Sequence, residues 1–248
     1  MKKLILSITA LATISIAVAQ KNSGRVNYEE KVKLNIQLDS NAMDMPDLPK
    51  EKTISTELLF TADASLYQLN KAKQKDESID HEEDGNRVVI KMDIPDNKVY
   101  YDIKNKKRIE QKDFMSRKFL IETTMDKSQW KLTGNQKTIL NYPCQEATMT
   151  DNGKKIIAWF TSAIEAFSGP SVYIGLPGFV MAVDVNDGER TITATSVELQ
   201  PIDQKLLVQP KEGKKVTQTE YDKIVEEKRK EMQKEYGGNG NMIIKIKN

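Results

Sequence analysis

The chain has 248 residues, 38 Lys+Arg against 36 Asp+Glu, and a single histidine. Without the two lysines of its leader-like start the bases number 36 (38 minus 2), equal to the acids, so there is no electrostatic footprint for nucleic acid or an anionic membrane surface. Cys144 is the only cysteine, which excludes an intramolecular disulfide and leaves a hydrophobic core to hold the fold.

Residues 1–19, MKKLILSITALATISIAVA, read as a signal peptide: Lys2 and Lys3, an apolar run from Leu4 to Val18, and a small-residue site with cleavage near Ala19-Gln20. The apolar run is short for a membrane span, so a periplasmic or secreted chain without a transmembrane segment is expected. RVNYEEKVKLNIQL follows, with Val26, Tyr28, Val32, Leu34, Ile36 and Leu38 on even positions, the period of a half-buried strand. Asp39 to Glu51 holds two prolines and reads as surface chain.

KTISTELLFTAD and SLYQLNK continue the strand pattern. Asn70 to Asn86 is highly charged and aperiodic, and is expected to be a solvated loop. From Arg87 to Phe114 a meander is expected, with turns at Asp96-Asn97 and Asn105-Lys106. RKFLIETT, QKTILNYPCQEATMT and KKIIAWFTS read as further strands, the last two joined at Asp151-Asn152-Gly153. FVMAVDV and RTITATSVEL form another hairpin through Asn186-Asp187-Gly188.

In TQTEYDKIVEEKRKEMQKEYGG the period becomes helical. Thr217 and Glu220 make a capping box, Gly237-Gly238 a stop, and Tyr221, Ile224, Val225, Met232 and Tyr236 a narrow apolar stripe. The closing MIIKIKN alternates like a strand able to pair with a sheet edge. The expected fold is mainly β: a meandering antiparallel curved sheet or partial barrel with one charged C-terminal helix. Its expected division is residues 20–210 as a single β domain and 211–248 as helix and tail.

Few residues point to chemistry. Asp80, Glu82, Asp84 and Gly85 imitate the start of a calcium loop, but the twelfth position is Lys91 rather than a bidentate Glu. His81 has no second His or Cys nearby, and Met43 and Met45 alone are a poor soft-metal site, so no metal and no cofactor are expected. There is no G-x-S-x-G elbow, and any triad would have to use His81. Cys144 reads as a buried, inert thiol. No catalytic residue is assigned. Carboxylate-based hydrolysis would fall to Glu146 and Glu165, the acids nearest the motif described next.

The second half carries a distinctive block. It runs through Trp130-Lys131-Leu132, Tyr142-Pro143-Cys144-Gln145-Glu146-Ala147, Ala158-Trp159-Phe160-Thr161 and Ser168-Gly169-Pro170 to Gly175-Leu176-Pro177-Gly178-Phe179-Val180. In order and spacing, this block over 130–199 resembles the GLPGLI family, exported proteins of Bacteroidota also described as the Porph_ging domain of unknown function. Phe179-Val180 stands where that family has Leu-Ile. The resemblance implies an envelope location and brings no reaction.

The residues of GLPG read first as a corner, with Pro177 and Gly178 suited to a type II turn and Gly175 permitting a close approach or bulge. As a ligand site the block would use Trp159, Tyr173, Gly175, Leu176, Pro177, Gly178 and Phe179. The function expected is therefore a non-enzymatic binding or envelope-associated protein that holds an apolar ligand or an outer-membrane client. The alternatives are an assembly subunit of an envelope complex and a carboxylate-based hydrolase.

Overall fold

The computed structural model describes residues 22–34, 49–75, 78–83, 86–91, 94–125 and 129–236. The leader-like start, Met43 and Met45, Asp84-Gly85, the Gly237-Gly238 stop and the MIIKIKN tail lie outside the described residues.

Fourteen strands occur among the described residues: β1 Gly24–Lys33, β2 Glu51–Phe60, β3 Ala64–Leu69, β4 Ser78–Glu83, β5 Asn86–Lys91, β6 Lys98–Asp102 and β7 Lys107–Phe114 in the first half. The rest are β8 Arg117–Thr124, β9 Lys131–Ile139, β10 Tyr142–Asp151, β11 Lys154–Thr161, β12 Phe179–Val185, β13 Arg190–Glu198 and the two-residue β14 Lys214–Lys215. Helix α1, Gln218–Tyr236, closes the described chain. Twelve strands form one open sheet in the order β14-β8-β7-β6-β3-β2-β1-β13-β12-β11-β10-β9, antiparallel except where β14 runs parallel to β8. The mainly β, curved architecture with one charged helix is the one the alternation predicts.

The sheet curls because its inner face is apolar along most of its width. Phe60 of β2 and Phe179 of β12 are three strand positions apart in the sheet, roughly 14 Å if the sheet were flat. Their ring centroids are 4.9 Å apart. Val26, Leu58, Phe60, Ala158, Phe160, Phe179, Met181 and Ile192 are all 2% exposed or less in the core so enclosed. The segment after β11 closes it with Ile164, Ala166, Tyr173, Ile174 and Leu176, and Trp130 ties this segment down by donating to the Ile174 carbonyl at 2.9 Å.

Two local readings are corrected. The charged stretch predicted as a loop contains a two-stranded hairpin, β4 with β5, in the register Ile79↔Ile90, Asp80↔Val89 and Glu82↔Arg87. Asp80 and Glu82 thus lie in a strand rather than in a calcium-type loop. The run QKTILNYPCQEATMT is also not one strand: Leu140 and Asn141 adopt φ 49° and 65° and turn the chain between β9 and β10. The Asp151-Asn152-Gly153 turn appears as expected, with φ 48° and 76° at its central residues.

Helix α1 starts as its sequence dictates. Glu220 N–H donates to Thr217 Oγ1 at 3.2 Å and Thr217 N–H donates to Glu220 Oε2 at 2.7 Å, the reciprocal bonds of a capping box. The helix is anchored by Tyr221, whose ring meets Phe119 at 5.4 Å and Phe114 at 6.5 Å, beneath the Lys112 ammonium.

Candidate functional site: a polar trough on the outer face

Strand β1 divides its side chains between two faces. Val26, Tyr28 and Glu30 point into the curl, and Arg25 and Asn27 point outward. Register carries the outward row across the sheet: Asn27 lies opposite Glu57 on β2, Glu57 opposite Gln68 on β3, and Gln68 opposite Lys98 on β6. A β-bulge at Asn27/Tyr28 leaves Thr195 unpaired, and its hydroxyl donates to the Asn27 carbonyl at 3.2 Å.

This row floors a trough of about 480 Å³ that the Asn70–Lys73 turn and Asp96 flank. Gln68 Nε2 donates to Glu57 Oε1 at 2.9 Å, and Arg25 Nε lies 3.4 Å from Glu57 Oε2. Asn70 Nδ2 donates to Asn27 Oδ1 and Asn27 Nδ2 to Ser196 Oγ, both at 2.8 Å, so a chain of amides runs along the floor. Asn27 is 3% and Asn70 8% exposed, which fixes their orientation. Lys71 Nζ lies 3.5 Å from Asp96 Oδ2, while Asp96 Oδ1 is buried with no hydrogen-bond partner among the described residues.

Two carboxylates on the inner face are paired instead. Glu30 accepts from Arg190 Nε at 2.7 Å and from Tyr67 Oη at 3.2 Å, and Tyr67 Oη lies 2.7 Å from Thr56 Oγ1. Burial would lower the Arg190 guanidinium, but the Glu30 carboxylate more than reverses this and holds it charged. Glu110 lies between Arg108 at 3.0 Å and Lys112 at 3.3 Å. With their charges compensated, both clusters hold strands together.

The residues singled out from sequence lie elsewhere. Leu176 and Phe179 are 2% and 0% exposed in the core, Tyr173 is buried beside them, and Gly175 and Pro177 are exposed. Gly175 has φ 91°, a left-handed conformation that favours glycine. The corner is not the type II turn predicted: Gly178 N–H donates to the Leu176 carbonyl at 2.8 Å, a three-residue γ-turn centred on Pro177. Trp159 is half-buried under the Lys137 ammonium, 4.1 Å from its ring centroid. None of these lines the trough. Nor do Glu146, which accepts from Thr133 at 2.8 Å and Asn135 at 3.0 Å, or the exposed Glu165. The Cys144 thiol is buried, which pushes its pKa up, and it lies 3.4 Å from the Tyr142 carbonyl. Among the described residues no group of three His, Cys, Asp or Glu could hold a metal ion, and no helix is long and apolar enough to cross a membrane.

A family model described as N-glycanase peptide, N-terminal domain, matches residues 68–223. The chain belongs to this family. The match spans the whole block over 130–199, so the GLPGLI assignment is corrected: the block belongs to an N-glycanase N-terminal domain, in which it supplies core residues and a corner. The expectations of a non-enzymatic binding protein, of unknown function, and of no enzymatic role fall with it, and the hydrolase alternative is the better supported.

Two solved structures of PNGF-II, in space groups P21 and C2, share the fold, with TM-scores of 0.54 and 0.53 and identities of 19% and 18%. Each covers 84% of this chain, whereas the chain covers only 34% and 33% of theirs, about a third of their length. No curated protein matches the chain. The N-glycanase N-terminal domain of this chain thus has its polar trough on strands β1, β2, β3 and β6, in which sequence reading singled out no site. The available signal was a run of polar residues, Arg25, Asn27, Glu57 and Gln68, at the outward positions of strands whose inward positions are apolar.

Proposed function

We propose that this chain acts on N-glycans, as a glycosidase-type protein of the N-glycanase family, and that the outer-face trough engages the sugar. The family match over residues 68–223 carries this reading. The trough supports it: amides, a guanidinium and carboxylates held in fixed geometry suit a ligand rich in hydroxyls, which needs directional donors and acceptors. Of the lining acids Glu57, Asp96 and the exposed Glu198, the first two are assigned the exchange of a proton with a water or leaving group. Both are partly screened from solvent, with side chains 13% and 23% exposed.

N-glycans occur on exported proteins. A periplasmic or secreted location, supported by the leader-like pattern of residues 1–19, brings the chain to such substrates.

The test is incubation of the full chain with a denatured N-glycosylated protein, followed by mass spectrometry of the peptide and released glycan. Release by the wild type, reduced at least tenfold in E57Q or D96N, supports the reading. No release together with no glycan binding in an NMR titration overturns it.

A further inference from the structure

The two ends of the trough differ in charge. At one end Arg25 is paired with Glu57, and Glu198 adds a further negative charge. Toward the other, the lining holds Lys71, Lys73 and Lys98 with Asp96, which is paired with Lys71. Among the described residues neither Lys73 nor Lys98 forms an ion pair. Glu212, outside the trough, is bound to Lys118 at 2.6 Å, and this bond, with more distant help from Lys98 and Lys71, keeps its carboxyl below the ordinary range. Among the described residues, two ammonium groups thus stand without an ion-pair partner beside a floor of amides. A neutral oligosaccharide would leave them without a partner; an anionic group on its terminus would not.

We propose that the trough selects an acidic oligosaccharide, with the sugar hydroxyls on Asn27, Gln68 and Asn70 and the anionic substituent at Lys73 and Lys98. This rests on the reading of the trough as a glycan site. It adds direction and charge: the ligand lies across strands β1 to β6 with its negative end toward the Asn70–Lys73 turn. The attraction is electrostatic at a partly exposed site, so it weakens with salt.

The probes are a biantennary N-glycan carrying terminal sialic acid, the same glycan with sialic acid removed, and a neutral-core oligosaccharide carrying a sulfate ester. Each is titrated into the full chain by calorimetry at low and high ionic strength. The sialylated glycan is expected to bind about tenfold more tightly than its neutral counterpart at low salt, the ratio shrinking severalfold at high salt. In K73Q/K98Q the ratio is expected to fall to near one. Preference for the sulfated probe alone supports anion selection with a sulfate ester as the source. Equal affinity for neutral and acidic glycans overturns the selection and leaves the glycan site standing. Absence of binding by all three probes overturns both.

Discussion

The Tyr28 hydroxyl donates to the backbone carbonyl of Val180 at 2.8 Å, joining residues 152 apart in the chain. The bond sits where the sheet splits. Strand β12 pairs with β13 only from Ala182 onward, so the ladder does not reach Val180 on that side. Its N–H is taken by the Ser168 carbonyl at 2.9 Å and its carbonyl by Tyr28, and both polar groups are thus satisfied in a site that excludes water. Replacing Tyr28 by Phe keeps the ring and leaves a buried acceptor orphaned. A loss of about 1–3 kcal/mol is expected from urea unfolding at unchanged m-value. A shift below about 0.5 kcal/mol would show that the split is held by packing alone.

The corner after Pro177 depends on close approach. A Cβ built on Gly178 would lie 2.4 Å from the Thr161 carbonyl oxygen, a backbone atom that cannot swing aside. G178A is therefore expected to cost at least about 1–3 kcal/mol through forced displacement of β11 from β12. P177A, at an exposed position, should cost less than about 1 kcal/mol, mostly through the unfolded chain. Thermal unfolding of the two variants side by side decides it, and equal losses would count against a steric origin.

These residues show why the fold was legible and the site was not. Strands with one apolar face announce themselves by alternation, and the capping box of α1 by its Thr-x-x-Glu spacing. The turn at Leu140-Asn141 was hidden because leucine at φ 49° is no turn signal, and the β4–β5 hairpin because its strands are charged. The trough was hidden for a different reason. Outward polar residues on strands look like ordinary solvated surface, and only the curl, the bulge at Asn27 and the Asn70–Lys73 turn make them converge. The GLPG block is distinctive because Leu176 and Gly178 pack inward at a corner whose Gly175 and Pro177 stay exposed, which marks a fold and says nothing about chemistry.

Helix α1 should respond locally rather than globally. It is held to the sheet near its start by Tyr221, and none of its described side chains is fully buried. T217A removes one half of the capping box and is expected to cost about 1 kcal/mol of helix stability. Bonds from the Thr217 backbone and side chain hold the Glu220 carboxyl below its ordinary range. A depressed pKa contributes stability above the unfolded value and loses it as pH falls through the folded one, so helical circular dichroism should decline in acid in the wild type. In E220Q that acid-dependent decline should be smaller. An identical pH profile in the two proteins would remove the role assigned to this carboxylate.

Alkaline pH probes the core most directly. Tyr28, Tyr67 and Tyr101 are 1%, 6% and 3% exposed, and burial first of all raises each phenol above its ordinary value, with the Glu30 charge adding to the effect at Tyr67. In the unfolded chain these phenols ionise near pH 10, while in the folded chain they stay neutral. Because the folded pKa is raised, their contribution is fully present below about pH 10 and is lost as pH rises beyond it. Each should remove up to about 1.4 kcal/mol per pH unit there, and together they should produce cooperative unfolding. Followed by tyrosinate absorbance and circular dichroism together, at least these three of the eight tyrosines should ionise only as the sheet signal collapses. Y67F should flatten that transition by about one phenol. Smooth ionisation of all eight near pH 10 with the sheet intact would mean that the inner face admits water, and the curled, closed core described here would be wrong.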